Sequence, residues 1–265
     1  MKMKYIHTFG NELKSIFVYR ARVLNWVVYD LLSFIVFPFI WLTVYAGRSS
    51  IAGFDRADIV TYYILTAYIS SMALAHQSRV VRKDIVHGKL NTYLTRPFPY
   101  LLVGTIHDTA YHFVTFFIAT LVGLAVIFAL PTYVVLPRSP LLAALFALSV
   151  ILTYCLTLCF EELIGLSSFW LGETTGLNQS FDLVTTVLSG QLAPLAFFPL
   201  AIQSIARFLP FQYLFYFPTE IYLGKLSSQG LLNGFTIEGL WLLGLVGVIL
   251  AVWRRGLYRY DGAGM

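Results

Sequence analysis

Apolar residues fill this chain in long blocks, and the polar breaks between the blocks are short. The blocks run over roughly 23–46, 59–75, 101–130, 141–160, 176–192 and 237–253. A helix needs about 20 apolar residues to cross the hydrocarbon core of a bilayer. Inside that core only a helix or a closed barrel satisfies every backbone N–H and C=O. The pattern predicts an all-α integral membrane protein with six transmembrane helices, the first kinked at Pro38.

Three stretches depart from the block pattern. The longest polar break, 79–99, reads RVVRKDIVHGKLNTYLTRPFP. Val81 and Ile85 stand one helical turn apart, as do Leu90 and Leu94, with Tyr93 beside them. Gly88 separates the two pieces, and Arg96-Pro97 stops the second. The spacing predicts two short amphipathic helices at the membrane face, against the plainer reading of a basic loop that only sets topology. Residues 2–22 carry an apolar stripe of Tyr5, Phe9, Leu13, Ile16 and Phe17 with basic residues around it, which predicts an interfacial helix over 1–22. Glu12 and the direct run into a long apolar block argue against a mitochondrial presequence. The stretch 193–225 is apolar and aromatic, yet Pro194, Pro199, Pro210 and Pro218 interrupt it every few residues. It predicts a re-entrant or interface-lying helical element rather than a span. The segment 161–175 reads as a short polar connection, and 47–58 and 131–140 as outer turns.

Charge then orients the bundle. Of 18 Lys and Arg, five lie in the N-terminal segment, five in 79–99 and three in the C-terminal tail. The other five, Arg48, Arg56, Arg138, Arg207 and Lys225, fall on the other side. This bias predicts that both termini and the 79–99 break are cytoplasmic, with the chain in a plasma membrane of bacterial inner-membrane type. Only 12% of residues are charged, half the soluble norm of about 25%. The whole chain is therefore read as one transmembrane domain, 1–265. The net charge of +5 is split among membrane-flanking clusters, which argues against a nucleic-acid partner. Cys155 and Cys159, one turn apart in an apolar run, read as reduced buried thiols. No cleavable signal peptide is expected, because the start is polar and no small-residue cleavage site follows.

Motifs that carry chemistry are missing. Gly88-Lys89 and Gly224-Lys225 are each followed by Leu, so neither completes a phosphate-binding loop. No metalloprotease or serine-hydrolase motif occurs, and no run of ligands has metal-site spacing. No span carries the repeated polar stripe of a channel.

The pattern as a whole resembles the membrane subunit of a type-2 ATP-binding-cassette exporter, a class that moves polysaccharides, lipids and drugs. Asp84-x-x-x-Gly88 followed by Leu90, Leu94 and Arg96-Pro97 is similar to that family's acidic-x-x-x-Gly, Leu, Pro signature after span two, with Asp84 where many relatives have Glu. Ser189-Gly190, Pro194-Leu195, Phe198-Pro199 and Pro210-Phe211 look like its outer re-entrant element. The likeness covers essentially the whole chain. It is closest to a compact subgroup of unassigned substrate whose permeases are often encoded as non-identical pairs with one ATPase. It implies two permease subunits, identical or paralogous, each docked on a separate ATPase. ATP and Mg are then held by the partners, with no cofactor on this chain and no catalysis by it. It further implies that 79–100 is a coupling segment, in which Ile85, Leu90 and Leu94 anchor, Arg82, Asp84 and Lys89 fix register, and Gly88 allows the turn. A short helix in 161–175 is a second, smaller contact.

Several polar residues within the apolar blocks carry two readings each. Asp182 and Asp30 are candidate pathway acids, or acids satisfied by a neighbouring Ser, Thr, Arg or Lys. His107, Asp108 and His112 form a proton relay or, more simply, anchor the start of span three. Two other functions remain open. An ion-coupled secondary transporter would show repeats or Gly-broken spans in matching halves. A membrane assembly subunit would transport nothing itself.

Overall fold

The computed structural model describes Gly10, Leu32 and residues 34–95, 99–129 and 131–260, without the side chains of Val103 and His107. Apart from Gly10, the interfacial helix expected over 1–22 lies outside these residues, as do Asp30, Arg96 and Pro97.

The chain enters with α1, Phe34–Val44, a short apolar helix that contains Pro38. A two-stranded hairpin follows, β1 Ser50–Ile51 against β2 Phe54–Asp55, antiparallel with Ser50 opposite Asp55. The sequence reading took this region as a plain turn. Asp55 then caps α2, Arg56–Ala73, through a reciprocal box with Asp58: the Asp58 N–H donates to Asp55 at 2.7 Å and the Asp55 N–H to Asp58 at 3.3 Å. Two short helices come next, α3 Ser78–Val86 and α4 Leu90–Leu94. Beyond them lie α5 Leu101–Ala129, α6 Pro140–Leu166, α7 Ser168–Leu171 and α8 Thr175–Leu188. The proline-rich stretch folds as 3-10 turns at Leu195–Phe197 and Pro210–Tyr213 around α9, Leu200–Phe208, and α10, Tyr216–Tyr222. The last helix is α11, Ser228–Arg259.

Among the described residues, four helical stretches are long and apolar enough to cross a membrane: Arg56–Val86, Gly104–Ala129, Pro140–Leu171 and Ser228–Arg259. The chain is a multi-pass membrane protein. The six-span count is not reproduced by length alone. The first expected span, 23–46, lies partly outside the described residues, and α8 has 14 residues, about 21 Å at 1.5 Å per residue. That is shorter than the hydrocarbon core.

Two boundaries differ from the sequence reading for physical reasons. The α6 helix does not stop at Phe160; it carries Glu161 and Glu162 onward to Leu166, with both acids buried. They are tolerated because the neighbouring segment gives them donors, described below. The α11 helix begins nine residues before the apolar block, because Ser227 caps it by accepting the Gly230 N–H at 3.1 Å.

The α6 helix is the hub. Along its length it packs against α11, α3, α10 and α2, while α2 also lies along α5. Two apolar cores result. One holds Val81, Ile85, Leu90, Leu156, Leu166 and Phe169 at the end of the bundle where α3 and α4 sit. The other gathers Phe34, Tyr45, Phe54, Tyr62 and Tyr63 around the hairpin. At the hairpin end, Lys225 donates to the Gly53 carbonyl at 2.8 Å and pairs with Asp58 at 2.7 Å, with its ammonium 4.5 Å over the Phe54 ring. Most of the remaining apolar surface on the long helices is exposed, with Leu121 and Phe128 on α5 and Leu240 and Leu243 on α11. Such surface suits lipid or another helix.

Candidate functional site

The site is built where α2 gives way to α3. Residues 74–77 leave the helix, and a broken helix at membrane depth must have its freed backbone groups satisfied by protein. Here α6 does so. The Thr157 hydroxyl donates to the Ala73 carbonyl and accepts from the Ala75 N–H at 3.3 Å. The Gln77 amide donates to the Leu158 carbonyl at 3.1 Å and to Glu162 at 3.0 Å. Glu161 accepts the Ser78 N–H at 3.0 Å. A carboxylate thus meets the first turn of α3, where free N–H groups and the helix dipole favour negative charge. Below this clamp Gly165 lets α3 lie directly on α6. A Cβ there would stand 2.6 Å from the Val81 Cβ and 3.2 Å from the Ser78 Cα.

The two short helices expected from the 79–99 pattern are present, and Gly88 between them has φ +72°, a conformation that costs other residues about 1–2 kcal/mol. Their faces divide the residues singled out from the sequence. Ile85 and Leu90 are buried within this chain, beside Val81. Asp84 is buried as well and accepts the Tyr100 O–H at 3.2 Å. Tyr100 in turn stacks on Trp253 of α11, centroids 5.4 Å apart and rings inclined by 12°. These three residues hold the segment to the bundle and are not available to a partner. Arg82 is half-buried and pairs with Glu173 at 2.7 Å. The hydroxyl and amide of Thr175, together with Arg82, hold the Glu173 carboxyl below the usual carboxylate range. What α3 and α4 leave open on the outside is Val80, Lys83, Val86, Lys89 and Leu94, while Arg79, also exposed, lines the cavity described next. The short helix expected in 161–175 is present as α7, and Phe169 from it packs on Trp253.

Above the clamp lies a cavity of about 290 Å³ walled by the α2–α3 break, α6 and α8. Its polar lining includes His76, Arg79, Glu161, Asn178, Asp182 and Gln191. Asp182 is exposed on α8 and lines this space. The Ser78 hydroxyl donates to Asn178 at 3.2 Å, so the first turn of α3 is part of the wall. Gly190, Pro194, Pro199 and Pro210 lie apart from the cavity lining. The Gly190 carbonyl accepts the Tyr62 O–H at 2.6 Å, and the three prolines stand at the starts of the turns and of α9.

A family model described as ABC-2 family transporter protein matches residues 24–264. The chain belongs to the ABC-2 transporter family. No curated protein and no solved structure matches it. Membership makes the chain a membrane-embedded permease subunit of an ABC transporter, a kind of subunit that works with an ATPase. In this ABC-2 permease the sequence reading missed Glu161 and Glu162, taken as loop acids, and His76, Tyr100 and Glu173, which it did not single out. The signal for the two glutamates was available: Leu163, Ile164 and Leu166 continue the apolar period of 141–160 beyond them.

Proposed function

We propose that this permease forms half of the translocation pathway of an ATP-driven exporter and receives its motion through the segment 78–95. Two permease chains, identical or paralogous, pair in the bacterial inner membrane among its lipids. Each docks on one of two ATPase subunits, which hold ATP and Mg. Both termini face the cytoplasm, six helices cross, and 193–225 lies at the outer face. The observation that carries the reading is one helix with two duties. The first turn of α3 lines the cavity, at Ser78 and Arg79, while its outer face and α4 present bare valine, leucine and basic side chains. A displacement applied to that face changes the cavity wall directly. The export direction rests on the resemblance to exporters, and Asp182 and Glu161 give the cavity two acids toward a polar or cationic cargo.

Two results are expected. The purified chain alone turns over no ATP, and hydrolysis appears when an ATPase subunit co-purifies in stoichiometric amount; turnover by this chain free of contaminants removes the proposal. A cysteine placed at Ser228 reacts with an impermeant thiol reagent from outside the cell. Reaction only from the cytoplasmic side overturns the six-span arrangement.

A further inference from the structure

On α5, Asp108 and His112 are four residues apart and both are buried, with 5% and 7% of their surface exposed. His112 Nδ1 lies 3.1 Å from the Ser71 carbonyl oxygen. A carbonyl only accepts, so Nδ1 carries a hydrogen. In the neutral ring Nε2 then presents a lone pair. That atom sits 3.2 Å from Asp108 Oδ2, yet it makes no hydrogen bond with it or with any other described group. A lone pair facing a buried carboxylate is repulsive; a second proton on the ring, which makes the contact an ion pair, or a metal ion held by both atoms removes the conflict.

The rest of the surroundings is arranged around the same point. His76 comes from the α2–α3 break, and one ligand atom each from His76, Asp108 and His112 lie within 4.8 Å of one another. Asp108 is oriented by two donors, the His76 N–H on Oδ1 and the Tyr154 O–H on Oδ2, each at 3.1 Å. A metal-bound histidine whose other ring nitrogen donates to a carbonyl, and a ligating carboxylate that is itself hydrogen-bonded, are the usual outer sphere of a metal site. Around an ion with bonds of about 2.0–2.2 Å, tetrahedral ligand atoms stand about 3.3 Å apart. The 3.2 Å between His112 and Asp108 already fits. His76, exposed and outside any helix, closes the remaining gap by turning its ring.

We propose that His76, Asp108 and His112 bind one divalent first-row transition-metal ion of the zinc type, with its fourth position open to the cavity. Two imidazoles and a carboxylate suit such an ion better than calcium or magnesium, which take oxygen ligands. The ion fastens α5 to the α2–α3 break beside the pathway. Its presence does not depend on the direction of transport or on the partner.

The test uses the full-length permease in detergent, stripped with a chelator and titrated with Zn²⁺, then with Co²⁺ for its visible spectrum. One Zn²⁺ per chain, a rise in Tm on binding and the intense Co²⁺ bands of a four-coordinate site are expected. His76→Ala, at an exposed position whose ring meets only the edge of Tyr111 among the described ring contacts, weakens binding at least tenfold; Asp108→Asn and His112→Ala abolish it; His87→Ala, at the end of α3, changes nothing. Absence of stoichiometric binding overturns the proposal. So does binding that survives His76→Ala and Asp108→Asn unchanged, which marks an adventitious surface site.

Discussion

Replacing Val86 and Leu94 together by Asp is expected to leave insertion and folding of the permease intact and to lower both transport and ATPase stimulation more than tenfold. Both side chains are exposed, at 38% and 45%, and neither belongs to the buried core. In the proposed complex they are covered by the ATPase. Burying a Val or Leu side chain contributes about 1.5–3 kcal/mol, and a factor of ten in affinity corresponds to about 1.4 kcal/mol. With about two fifths of each side chain left to cover, the two contacts together contribute about 1–2.5 kcal/mol, and the two charges that must be desolvated in their place carry the loss past a factor of ten. Asp84→Lys lowers transport by another route. Its carboxylate is buried against Tyr100, so the lysine disrupts the segment itself, and the yield of folded protein falls with activity. The measurement is efflux and ATP turnover in vesicles at matched expression. Wild-type activity in the double Asp variant removes the coupling role and leaves α3 and α4 as a basic segment that only sets topology.

Gly165→Leu is expected to be the most damaging single change on α6. The added side chain meets Val81 and the backbone of Ser78, not the flexible end of a long residue. Overpacking a filled interface costs about 1–3 kcal/mol, and contact with backbone places this change at the upper end. The α3 helix must lift from α6, which strains the Glu161 and Gln77 hydrogen bonds that close the break. A fall in Tm on the order of 5–10 °C in detergent is expected, with transport lost, whereas Gly165→Ala causes a smaller fall. An unchanged Tm in Gly165→Leu shows that α3 does not rest on α6 as described.

The sequence made the long helices and the two short ones legible because their signal is local. Apolar length marks α5 and α6, and the four-residue spacings in 79–99 mark α3 and α4. The roles of single residues were less legible. Ile85 and Leu90 look like partner anchors when only their own helix is known, and it takes α6 to show that the bundle already covers them. The same long-range pairing hides Glu161 and Glu162. A carboxylate after an apolar run reads as the end of a span, since its donors lie some 83 and 85 residues away at Ser78 and Gln77. The cavity is likewise a product of four separate stretches. Of these only Asp182, an acid inside an apolar block, announced itself.

The hydrogen-bonded break at 74–77 has a mechanical consequence. Because α6 grips it from both sides, the break acts as a fulcrum, and α3 and α2 are the two arms of a bell-crank. The short arm has nine residues and the long arm 18, about 13 Å and 27 Å at 1.5 Å per residue. In the proposed mechanism, a rotation that carries both arms as one body about that fulcrum doubles in amplitude: a push of about 2 Å at Val86 becomes about 4 Å at Arg56. The long arm ends beside the Asp58–Lys225 pair, 2.7 Å apart, so in that mechanism the larger stroke arrives at this ion pair.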